Sequence, residues 1–200
     1  MWNVQQITCL HREMVFRWHQ RQVDNPYHGS LTQICQQHAF NFLLWHEEDI
    51  ARSPTASAAE IAAVKRRIDG YNQQRNDGIE KIDECLAAWL TEQWIGPVPD
   101  APQNTETPGA VIDRLSILSL RIFHLEEQLQ RSDVSTSHIE GVQRKLAIAL
   151  MQLDDLATAL ADLLADIVAG RKRHRLYRQL KMYNDPTLNP YLYAAEKKAG

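Results

Sequence analysis

Residues 68–83 read IDGYNQQRNDGIEKID. At about 100° per residue, Ile68, Tyr71, Ile79, Ile82 and, one turn on, Leu86 fall on one apolar stripe, the spacing of an amphipathic helix. Asp69, Asn72, Gln73, Asn76, Glu80 and Asp83 fall on a second stripe about a third of a turn away. A solvated helix face is usually Glu, Lys and Arg in i,i+4 pairs. This one is acid plus amide, broken by Gly70 and Gly78, which weaken a helix relative to Ala. The composition suits coordination of a ligand better than solvation.

Working outward, nearly the whole chain carries helical spacing. Ile7, Leu10, Met14 and Trp18 space a first helix that stops near Asn25-Pro26. A second runs from about Leu31 to Arg52 behind Ser30 as N-cap, and Ser53-Pro54 ends it. Ser57 and Glu60 form a capping box that opens the third helix, which reaches about Trp94. Residues 96–107 are a linker with three prolines and no periodicity. Thr107-Pro108 starts a fourth helix to about Arg131, and Ser137 with Glu140 is the expected cap of a fifth. That helix contains LAIALMQLDDLATALADLLADIVAG and reads as largely buried. An irregular, proline-containing tail closes the chain. The prediction is an all-α, up-and-down bundle of about five helices, with long third and fifth helices, forming a single domain over 1–200.

The chain has 200 residues, is 44% apolar and carries a net charge of −3, so as a whole it is not charged like a nucleic-acid binder. Residues 171–181, RKRHRLYRQLK, hold six cations and no acid. Against the total of −3 the rest of the chain carries −9, so this segment is a local anion-attracting patch. Cys9, Cys35 and Cys85 are scattered and odd in number, which argues against a disulfide framework and against a thiolate zinc site. No leader and no run near the length of a membrane span is read, and the expected setting is a reducing cytoplasm.

The second helix repeats the pattern of the third. His38, Asn41, Trp45, Glu48, Asp49 and Arg52 share one face, while Phe40, Leu43, Leu44 and Ile50 cover much of the rest. Buried polar groups need partners, so the two stripes are expected to face each other. Between them, Glu48, Asp49, Glu80 and Asp83 form an oxygen-only set suited to Mg²⁺ or Mn²⁺. His38, Asn41, Arg52, Asp69, Asn72, Gln73 and Asn76 are the expected ligand contacts. The fourth helix adds Asp113, which shares a face with Ser116 and His124, and Arg121 on a neighbouring face. Lys181 is the expected contribution of the basic tail. The same stripes also read as a structural polar network that fixes helix register, or as solvated faces.

The segments QHAFNFLLWHEEDIAR, KRRIDGYNQQRNDGIEKID, ETPGAVIDRLSILSLRIFH and LKMYNDPTLNP resemble, in order, a bacterial family known as domain of unknown function 4254. The resemblance implies a helical protein without assigned activity, often encoded near glycosyltransferases of surface-polysaccharide clusters. A narrower likeness is to the all-α nucleoside triphosphate pyrophosphatases, whose EExxE and ExxD helices hold Mg²⁺ over a pyrophosphate. Glu47-Glu48 and Glu80…Asp83 match parts of that pattern, but position 51 is Ala. Three functions follow. The chain binds a small phosphorylated ligand (nucleotide, nucleotide-sugar or sugar phosphate), it also hydrolyses that ligand, or it is an accessory protein docking on a glycosyltransferase. Each is compatible with a homo-oligomer.

Overall fold

The computed structural model describes residues 2–179, 182 and 185–192. Among the described residues the bundle is built from five α-helices, α1 (Val4–Trp18), α2 (Ser30–Ala51), α3 (Ala58–Glu92), α4 (Pro108–Leu129) and α5 (Thr136–Val168), and residues 190–192 are also helical. No strand occurs among the described residues, only an isolated bridge between Gln103 and Arg173. The all-α class and the long third and fifth helices agree with the sequence reading.

Local chemistry sets the helix ends. The Ser57 hydroxyl accepts from the Glu60 N–H at 3.2 Å, and the Thr107 hydroxyl accepts from the Ala110 N–H at 3.2 Å ahead of Pro108. Both caps are as read from the sequence. Two are not. Gly29, not Ser30, occupies the N-cap of α2 with φ +64°, and Ser135 rather than Ser137 caps α5 by accepting from His138 N–H at 3.2 Å. Two candidate cap serines stood in STS, and the earlier one won.

Helices α2 and α3 form an antiparallel hairpin, and α4 and α5 pack as a second pair. Leu44, Val64 and Ile68, with Ala51 and Tyr71 against them, form a separate small core at the loop end of the first hairpin. The main core draws on all five helices: Ile7 and Met14 from α1, Ile34 and Phe42 from α2, Ile82 and Leu86 from α3, Ile112 and Leu115 from α4, Leu160 and Leu164 from α5.

Helix α5 departs from its expected burial. Its fully buried residues concentrate in Leu160–Ile167, whereas Ile148, Leu150 and Met151 are 51%, 46% and 58% exposed. Ala149 and Val142 in the same stretch are buried, so α5 is covered there on one face, with α4 as its main neighbour, and its remaining apolar residues face outward.

Two glycines set the spacing around the site. A Cβ on Gly78 would sit 3.0 Å from the Gln37 Cβ and 3.4 Å from its Cα, so α2 passes close over α3 there. A Cβ on Gly109 would lie 2.6 Å from the Ile79 carbonyl oxygen, which brings the N-terminus of α4 down onto α3. Gly70 meets nothing within 4 Å.

Candidate functional site

Where α2, α3 and α4 meet, one carboxylate gathers four hydrogen bonds. Asp113 on α4 accepts from Gln37 Nε2 (2.5 Å) and Asn41 Nδ2 (2.9 Å) of α2. From α3 it accepts Arg75 Nε at 2.8 Å and Nη2 at 2.5 Å, a bidentate pair. The Asp113 side chain is 5% exposed and that of Arg75 26%. A charge at that depth is tolerable only when paired and hydrogen-bonded. The pairing also raises the Arg75 pKa, chiefly through its bonds to Asp113.

A directional chain continues from Asn41 toward α1. Asn41 Nδ2 donates to the Ser116 hydroxyl at 2.8 Å, and Ser116 Oγ lies 2.7 Å from His38 Nδ1. His38 Nε2 lies 3.0 Å from the carbonyl oxygen of His11, which can only accept. His38 therefore carries its proton on Nε2, and Ser116 donates to Nδ1. Burial pushes the His38 pKa down to about 3, against the opposing bond to the His11 carbonyl. Burial, and then the nearby His38, also holds His11 well below its usual range; its ring centroid lies 4.6 Å from that of His38.

Outside this network lies a cleft of about 430 Å³ walled by Asn41, Leu44, Trp45, Glu48, Asp49, Arg52, Asn72 and Arg75, with Ile117 and Leu120 of α4. Of the residues singled out from sequence, the structure thus brings together His38, Asn41 and Asp113 in the network and Asn41, Glu48, Asp49, Arg52 and Asn72 around the cleft. Arg52, the C-cap of α2, is exposed and pairs with Glu48 one turn back at 2.5 Å. Asn72 has no protein partner among the described residues, and the same holds for Arg75 Nη1.

The remaining assignments scatter. Asp69 is exposed and pairs along α3 with Lys65. Gln73 Nε2 donates to Asp77 at 2.7 Å on the outer face of α3. Asn76 is half-buried and lines neither the network nor the cleft. Glu80 receives Arg178 at 3.0 Å and the Gln179 N–H at 2.8 Å. Asp83 accepts from the Gly109 N–H at 2.8 Å, covering the N-terminus of α4. Burial raises its pKa, opposed by the Thr107 hydroxyl and the Gly109 N–H. Glu48, Asp49, Glu80 and Asp83 therefore do not converge as one metal set. The buried face of α3 comprises Val64, Ile68, Ile82, Asp83, Leu86 and Leu90, so the acid-amide stripe divides: Asp83 is buried, Asn72 and Asn76 are half-buried, and Asp69 is exposed.

Arg121 lies apart, in a groove of about 580 Å³ between α4 and α5 with Arg114, Gln152 and Asp155. Lys181 falls outside the described residues. The basic segment largely pairs with its own chain: Arg171 with Asp166, Lys172 with Asn104, and Arg178 with Glu80 and Glu84.

Sequence reasoning missed Gln37 and Arg75 in the network. Gln37 was legible as a third polar residue beside His38 and Asn41 on an apolar helix, and Arg75 as the residue one turn beyond Asn72. It also missed the meeting of His19, His46 and His124, each offering a ring nitrogen within 4.8 Å of the other two. No other group of three or more His, Cys, Asp or Glu among the described residues lies close enough to share an ion.

The chain is thus a helical bundle with a charged, hydrogen-bonded centre under an open polar cleft. Residues 31–176, from α2 to just past α5, match the model of a family described as protein of unknown function (DUF4254), and the chain belongs to that family. No curated protein and no solved structure matches it.

Proposed function

We propose that the cleft between α2, α3 and α4 binds a small phosphorylated ligand that also carries hydroxyls, of the sugar-phosphate or nucleotide-sugar class. The observation that carries this reading is Arg75. Asp113 fixes its guanidinium through Nε and Nη2, and Arg75 also lines the cleft together with Asn72, so the N–H donors that Asp113 leaves unused are the ones proposed to meet the ligand. Such a preorganised donor pair suits a phosphoryl oxygen. Glu48 and Asp49 at the rim accept from sugar hydroxyls, and Trp45 supplies an apolar ring wall. The reading is binding without hydrolysis, because the acids proposed to hold Mg²⁺ or Mn²⁺ are dispersed.

A thermal-shift series with sugar phosphates, nucleotides and nucleotide-sugars, each with and without Mg²⁺, tests it. A ligand at a hundredfold excess over Kd stabilises by about 2.7 kcal/mol, roughly 5–10 °C for a chain of this size. Asn72→Leu, which fills the cleft without touching the Asp113 network, should abolish the shift. A shift that requires Mg²⁺, with loss of the ligand's phosphate, would favour hydrolysis. Silence across the whole series would instead favour docking on a glycosyltransferase.

A further inference from the structure

At the far side of Trp45 three histidines from three helices converge. His19 is the C-cap of α1, His46 lies on α2 and His124 on α4. Their Nε2 atoms are all buried and none has a protein partner among the described residues. One orphaned imidazole nitrogen is an ordinary local defect; three at one point need a common explanation, since buried polar atoms are nearly always satisfied.

The opposite ring nitrogens are occupied in two of the three. His19 Nδ1 lies 2.7 Å from the Val15 carbonyl oxygen, and His124 Nδ1 lies 2.7 Å from Glu127 Oε2. Both acceptors keep the proton on Nδ1 and leave the Nε2 lone pair directed away from them. Metal-bound histidines are held in this way, the second nitrogen donating to a carbonyl or carboxylate that fixes tautomer and ring orientation. The rings themselves are clamped. Phe123 stacks on His19 at 4.1 Å, Trp45 stacks on His124 at 4.9 Å, and Phe42 meets His46 edge-on at 4.5 Å.

We propose that His19, His46 and His124 form a binding site for a divalent first-row transition metal of the zinc class, ligated through three Nε2 atoms with one coordination position left open. Three neutral imidazoles select Zn²⁺, Co²⁺, Ni²⁺ or Cu²⁺ over Mg²⁺ and Ca²⁺, which take oxygen donors. Zn–N bonds of about 2.0–2.1 Å put tetrahedral ligand nitrogens roughly 3.4 Å apart. The three rings already place one nitrogen each within 4.8 Å of the other two, so ligation requires the site to contract by little more than about 1 Å. Three protein ligands leave room for a water or a ligand oxygen. Because the donors come from α1, α2 and α4, the ion also ties α1 to the rest of the bundle.

The site stands independently of the sugar-phosphate reading, and its test uses metal alone. Tag-free, chelator-stripped full-length chain is titrated with Zn²⁺ by calorimetry and with Co²⁺ by visible absorption. We expect one metal per chain, a tetrahedral Co²⁺ spectrum and a Tm that rises with Zn²⁺. His46→Ala and His124→Ala should each weaken binding by about 100-fold or more, and Glu127→Gln by about 10-fold. His28→Ala and His138→Ala, at exposed positions, should change nothing. Glu127 is exposed, so its variant reads the site even if a ligand variant fails to fold. Absence of stoichiometric binding by the wild-type chain, or binding unchanged in Glu127→Gln and both ligand variants, would overturn the proposal.

Discussion

Replacing Asp113 by Asn keeps the shape of the side chain and removes its charge. The amide oxygen can still accept from Gln37 and Asn41, but the new NH₂ faces Arg75 Nη2, donor against donor. Breaking a buried ion pair from one side costs about 3–5 kcal/mol. Because the Arg75 side chain is 26% exposed, water reaches it and the lower figure applies, roughly 3 kcal/mol. In a chain of this size that lowers Tm by roughly 6–12 °C. Arg75→Met, which leaves the carboxylate buried with only its amide donors, should cost a similar amount. The two losses should not add. In the double variant neither charge remains, so the total should stay near 3–4 kcal/mol and the coupling should be roughly 2–3 kcal/mol. Urea denaturation followed by circular dichroism at pH 7.5 measures all four corners of the cycle. Strict additivity, or an Asp113→Asn loss within about 0.5 kcal/mol, would refute a charge-coupled network at this junction.

His38 makes stability depend on acid. Its folded pKa of about 3 lies below the ordinary 6.5, so its contribution is full above pH 6.5 and is lost as pH falls from there toward 3. The slope is about 1.4 kcal/mol per pH unit, which makes the loss about 2 kcal/mol at pH 5. Urea midpoints at pH 7.5, 6 and 5 should fall more steeply for the wild-type chain than for His38→Gln, and parallel curves would contradict it. The two α3 glycines should respond oppositely to alanine. Gly78→Ala drives a Cβ against Gln37 and should cost about 1–3 kcal/mol, whereas Gly70→Ala, in open space, should gain about 0.5–1 kcal/mol. Thermal melts of the two variants decide this, and equal signs would be the contrary result.

The helices were legible because each carries its own start signal and a periodic apolar stripe, as Ser57-Glu60 and Thr107-Pro108 illustrate. The inward face of α2 was legible too, since His38 and Asn41 stand among apolar residues with nowhere polar to go but a partner helix. The acids of α3 misled for a physical reason. A buried or half-buried carboxylate serves equally for an ion, an arginine or a helix N-terminus, and spacing does not say which. Glu80 took Arg178, nearly a hundred positions away in the chain, and Asp83 took the N-terminus of α4. The three histidines were illegible as a set because α1, α2 and α4 bring them together only through tertiary packing. Nothing local links His19 to His46 or His124.

Apolar seams built on i+3 and i+4 steps are nearly self-similar. Sliding α3 one turn along α2, about 5.4 Å, would set most apolar side chains beside other apolar side chains. The Asp113 carboxylate removes that degeneracy. After such a slide Arg75 and Asp113 would no longer meet, and each would be left charged and poorly solvated. The network therefore acts as an indexing pin, selecting one alignment of α2, α3 and α4 among several that hydrophobic contact alone would accept. A chain with the pin replaced by aliphatic residues could keep its helices and its core and still lose the cleft, because the cleft exists in only one alignment.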